Sequence, residues 1–180
     1  MSTADYAAFS NNAIMFASIV YVMAFVAHVV EWSAARSATA RREPVDAAVS
    51  AGVNHTTAPG PVAPEATGTA VDPEEKVDKW GRIGVSLTVV AVLLHFAALV
   101  TRGLGSDPIR VPWGNMYEFT LAGAFGVSFM YLLLGRKHHL RWMGLPVTGF
   151  EVVVLMLAVL LLYVPAGPLV PALHLSLIHI

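Results

Sequence analysis

Long apolar runs alternate with short polar connections along this chain. Residues 13–32, 83–101, 117–134 and 147–164 are each almost free of charge, and each approaches the roughly 20 apolar residues that carry a helix across a bilayer core. A helix is the expected form for such runs, because in lipid the backbone N–H and C=O groups must be satisfied within the segment itself. The pattern therefore predicts an all-α integral membrane protein with about four transmembrane helices. The first run could also be read as a cleaved signal peptide. Residues 1–12 contain no Lys or Arg, and the run exceeds a typical signal core, so we read it as a retained helix.

The long connection, residues 33–79, is of another kind. It is rich in Ala, Pro, Thr, Gly and acidic residues and shows neither helical nor strand periodicity, which predicts a long disordered cytoplasmic linker. A short amphipathic helix over 73–82 could lead into the second pass, with Glu75 and Lys79 as an i,i+4 pair. His55 reads as a surface residue of the linker.

Charge gives these passes an orientation. Nine of the eleven Lys and Arg residues fall in the first and third connections, and the other two, Arg102 and Arg110, in the second. The positive-inside rule then places both basic connections in the cytoplasm, and the N-terminus, the 102–116 loop and the C-terminus outside. Trp32, Trp80, Trp113 and Trp142 lie at predicted helix ends, as expected for interfacial anchors. The formal net charge of -1 offers no cationic surplus with which to displace phosphate counterions, so nucleic acid is not an expected partner. With no cysteine in the chain, disulfides, thiolate metal sites and thioether attachment of haem to this chain are excluded.

Few polar groups interrupt the apolar runs. His95 falls deep in the second pass, where an imidazole could ligate haem iron, relay protons or hydrogen-bond a neighbouring helix. His28 stands one turn from Glu31 and is expected to pair with it toward the headgroups. Glu151 lies one turn into the fourth pass, close enough to the inner interface to reach it. His138 and His139 follow Arg136 and Lys137 in a basic turn that suits contact with anionic lipid. Ala122, Gly123, Ala124, Gly126 and Ser128 form a small-residue stripe in the third pass, which predicts close helix packing there. Phosphate loops, nucleophile and base pairs, and paired hydrolytic carboxylates are not visible in the sequence.

The stretch Pro112, Trp113, Gly114, Asn115, Met116, Tyr117 and Glu118 resembles the Pro-x-x-Asn-x-Tyr-Glu signature of the CcsA/ResC family, the actinobacterial CcsB-type proteins of system II cytochrome c biogenesis. Similarity extends over residues 79–173 and includes Pro168, Leu169, Val170, Pro171, Ala172 and Leu173. The resemblance implies a bacterial plasma-membrane protein that, with a ResB-like partner, handles haem (b-type in transit) and presents it to apocytochrome c as part of a haem-attachment complex. Whether this chain itself acts as an enzyme stays open, since the family's tryptophan-rich WWD segment with its flanking histidines is not in it. The family's cytochrome c assembly domain would correspond to residues 80–174.

By type, Asn115 and Tyr117 would hydrogen-bond within the loop, Pro112 would stiffen it, Glu118 would accept at the N-terminus of the third helix, and Trp113 would anchor or shield the site. Imidazole ligands to haem iron would come from His95, His174 or His179. Residues 175–180 depart from the family's continuation and resemble translated read-through of a sequencing adaptor, so this end reads as truncated or artefactual. A non-catalytic membrane scaffold or transporter subunit is the alternative reading.

Overall fold

A computed structural model describes residues 2–50, 73–138 and 140–164, with side chains over 2–40, 74–135 and 140–164. Its elements are α1 (Thr3–Ser50), α2 (Pro73–Leu104), α3 (Met116–His138), a single 3-10 turn (Arg141–Met143) and α4 (Gly144–Leu161). The described residues are thus all-helical. Four stretches are long and apolar enough to cross a membrane: Thr3–Ala40, Glu74–Leu104, Met116–Gly135 and Arg141–Leu161.

Two boundaries differ from the sequence reading. α1 runs on through Ser50, well into the stretch expected to be linker, and α2 begins at Pro73, so the expected short helix is continuous with the second pass. Residues 33–50 lack Gly and contain a single Pro, at 44, so an apolar helix already formed can propagate through their many alanines. The expected linker residues 51–72, with His55, lie outside the described residues, as do the side chains of Arg136, Lys137, His138 and His139. On the stretch entering α2 the i,i+4 ion pair joins Arg82 to Asp78 at 3.7 Å; it is not the expected Glu75 and Lys79 pair.

The helices alternate in direction. Ser10 of α1 donates to the Ala98 carbonyl of α2, 2.9 Å away, and Asn11 of α1 donates to the Tyr163 hydroxyl beyond α4 at 2.8 Å. About five turns further along α1, at its middle, His28 meets both Gly84 of α2 and Gly144 of α4. The loop between α2 and α3, the start of α1 and the end of α4 therefore share one end of the bundle. Arg141 and the start of α2 share the other, where Arg141 pairs with Asp78 and Glu31. We call these the motif end and the basic end.

What the helices bury explains how they pack. The inward stripe of α1 includes Ser10, Ala13, Ala17, Tyr21, Ala24 and Ala27, and that of α2 includes Thr88, Ala91, His95 and Ala98. Their outer faces carry Phe9, Phe16, Ile19, Leu93 and Phe96, exposed about halfway or more. Lipid tails solvate such large side chains as well as another helix would, so small inward residues that allow close backbone approach decide the contact. α1 and α2 form the most extensive interface. The expectation of close packing by the third pass holds only in part, since a Cβ added at Gly123 or Gly126 would meet nothing within 4 Å. Both glycines lie on the outer face of α3; Ala124 and Ser128 of that stripe turn inward, and Ala122 packs against the core.

Candidate functional site

The motif end is built around the first turn of α3. Asn115 precedes the helix, and its Oδ1 accepts the Glu118 backbone N–H at 2.8 Å while its carbonyl accepts from the Phe119 N–H at 2.9 Å. This is an N-cap: a short amide side chain satisfies one of the donors that the first helical turn leaves without partners. Glu118, three residues on, reaches back one residue further than in a capping box, so that its Oε2 accepts from the Gly114 N–H at 2.8 Å. A carboxylate here also lies at the positive end of the α3 dipole.

Two guanidinium groups complete the cluster. Arg102, near the end of α2, approaches Glu118 Oε1 through Nε at 3.3 Å, and Arg110 of the loop approaches Oε2 through Nη1 at 3.5 Å. Arg102 and Glu118 are both fully buried. Arg102 also donates through Nη2 to the Val164 carbonyl, which ties the exit of α4 to α2 and α3. Its guanidinium lies 4.8 Å from the centre of the Tyr117 ring, and Tyr117 meets Tyr163 edge to face at 5.5 Å. Tyr117 thus contributes its ring to the cluster, where a loop hydrogen bond was expected. A Cβ at Gly114 would collide with the Arg110 guanidinium, so glycine here lets Arg110 lie over the loop, and a larger residue would require that side chain to shift.

Trp113 differs from its neighbours. Its N–H donates to the Val111 carbonyl at 2.8 Å in a tight turn, and its indole is 67% exposed. Pro112 precedes it in that turn, half-buried. Beside the cluster, an apolar groove of about 520 Å³ runs between α1 and α4, with Asn11, Tyr117 and Tyr163 at one end and Val152, Leu155 and Met156 along it.

His95 is not part of this cluster. Seven residues before Arg102, it lies about 10 Å deeper along α2. It is fully buried, edge-on to Tyr21 at 6.2 Å and to Phe125 at 5.7 Å; the Leu121 backbone lies beside the ring, although neither nitrogen has a partner in hydrogen-bond geometry. Imidazole nitrogens suit iron ligation chemically, but aromatic rings wall the imidazole on two sides, and neither the α1–α4 groove nor a second one of about 700 Å³ between α2 and α3 is lined by it. The described residues around His95 therefore do not fit haem. His174 and His179 lie outside the described residues.

The basic end holds a second ionic cluster. His28 Nδ1 and Glu31 Oε2 are 2.9 Å apart, and Glu31 Oε1 meets Arg141 at 3.2 Å. The expected pair forms, yet it turns into the bundle: His28 is fully buried, with its ring against Gly84 and Gly144. Glu151 is likewise fully buried and does not reach the interface as expected.

Sequence reasoning used Arg102 and Arg110 only to orient the chain. The signal that could have found them is their position: they are the two basic residues on the side that the charge rule leaves poor in cations, and they flank a buried acid. Among the described residues no three His, Asp or Glu side chains converge to hold a metal ion. Compared with protein-family models, curated proteins and solved structures, the chain matches none.

Proposed function

We propose that this chain is a membrane component of cytochrome c maturation, similar to the CcsA/ResC proteins, working with a ResB-like partner at the outer face of the bacterial plasma membrane. The observation that carries this reading is the built form of the stretch that resembles the family signature. Asn115 caps α3, Glu118 binds Arg102, Arg110 and the Gly114 N–H, and Trp113 projects from the rigid turn so formed. A turn tied down by that many charged contacts presents a fixed indole and loop to whatever docks at the motif end. Exposed aromatic rings on a rigid base are favoured contacts for a protein partner.

Four helices in this reading act as scaffold, and haem is not gripped at His95. Presentation of haem to apocytochrome c, with outward placement of the motif end, rests on the resemblance and on the charge asymmetry of the connections. The sealed His95 favours a second reading, a non-catalytic scaffold or transporter subunit.

Deleting the gene and staining membrane c-type cytochromes for covalent haem separates the two. The proposal expects staining to be lost while apocytochrome persists, with recovery on complementation by the intact gene. Normal staining in the deletion strain would overturn it.

A further inference from the structure

Among the described residues, three acidic side chains are buried in the bundle: Glu31, Glu118 and Glu151. Glu118 meets Arg102 and Arg110, and Glu31 meets Arg141 and His28. Glu151 meets no cation among the described residues, and neither of its carboxyl oxygens has a hydrogen-bond partner.

Its polar neighbours across the bundle come from α1 and α3. From α3, the Ser128 hydroxyl lies beside the Glu151 carboxyl and also beside the Tyr21 phenol of α1. Ser128 Oγ and Tyr21 Oη are, like the carboxyl oxygens, fully buried and without partners in hydrogen-bond geometry. On the far side of Tyr21, His95 of α2 lies edge-on to the phenol ring with the Leu121 backbone beside it. On α4 itself, the Thr148 hydroxyl is committed to the Gly144 carbonyl at 2.7 Å. Toward the basic end stand His28 and Glu31, paired with each other, and His28, level with Gly144, is about 10 Å along the axis.

An ionised carboxylate in an apolar interior is sustained only by a paired cation or by several donors aimed at it. Glu151 has neither, while the hydroxyls beside it can accept as well as donate. We propose that Glu151 is a membrane-embedded proton-binding site, at which one proton adds to a carboxylate oxygen and the resulting acid is held beside Ser128 and Tyr21. No other bond changes, and the proton comes from water. This inference is independent of the proposed role in cytochrome maturation.

Infrared spectroscopy of the purified full chain reads the site directly. At neutral pH the wild-type protein should show the C=O stretch of a protonated carboxylic acid, shifted in heavy water and missing from Glu151→Gln. The neutral amide mimics the acid, so E151Q should keep its helical circular dichroism and thermal midpoint. Ser128→Ala should move the band without abolishing it. If E151Q fails to fold, the wild-type spectrum still decides, because the other two buried acids have guanidinium partners. Absence of an acid band in the wild type at neutral pH overturns the proposal. Disappearance of the band on adding Na⁺ at fixed pH also overturns it, in favour of a cation site.

Discussion

Arg102 and Glu118, sixteen residues apart on different helices, meet at 3.3 Å in a place where neither side chain is exposed. The pair joins the end of α2 to the first turn of α3, and through the Val164 carbonyl it also holds the exit of α4. Removing one member of such a pair leaves an uncompensated buried charge. That loss costs about 3–5 kcal/mol, so Glu118→Ala should strongly lower the stability of the bundle. Replacing both ends, as Arg102→Met with Glu118→Gln, should recover part of the loss. Denaturant titration followed by circular dichroism measures both effects.

The N-cap at Asn115 makes a smaller and more local contribution. Asn115→Ala should destabilise by about 1 kcal/mol, whereas Asn115→Asp, which keeps the acceptor, should remain close to wild type. Amide hydrogen exchange localises the effect: protection should fall over residues 116–119 and stay unchanged in α1.

His28 depends on the absence of side chains at Gly84 and Gly144. A Cβ at Gly84 would lie 2.7 Å from the imidazole, and since α1 carries that ring on a packed face, the ring or the helix must move. Gly84→Ala should destabilise by about 1–3 kcal/mol through overpacking. Adding His28→Ala should remove most of that penalty. A double-mutant cycle should therefore show strong coupling, and additive effects would mean that the ring does not occupy this gap.

The glycines of α3 should respond otherwise. Gly123 and Gly126 face no neighbouring side chain, so Gly123→Leu or Gly126→Leu should leave the stability of the isolated chain unchanged or raise it, by up to about 1 kcal/mol from helix propensity. Ala17→Leu or Ala24→Leu, on the buried α1 stripe, should cost about 1–3 kcal/mol or more. Melting curves of the four variants in one detergent distinguish the two interfaces.

The membrane passes were legible because a bilayer imposes a length and a polarity on each helix separately. Residues 13–32, 83–101, 117–134 and 147–164 each carry that signal alone, and each lies within or largely overlaps one of the four helices. Basic residues in the connections likewise sorted the helix ends into two groups without reference to packing. Asn115 and Glu118 could be read as capping groups for a similar reason, since a cap is made within four or five residues.

Contacts between helices followed other rules. Nothing local marks Gly84 rather than Gly123 as the place of close approach, because both are small residues in apolar helices; the difference is which face the bundle turns inward. Arg102 reaches Glu118, and Glu151 faces Ser128 and Tyr21, only through the relative rotation of neighbouring helices. The sequence by itself determined the number, span and alternation of the helices, because each must satisfy its own backbone in lipid. Tertiary structure decided which polar groups were paired with a cation and which, like Glu151, were buried without one, because pairing depends on distances set by helix against helix.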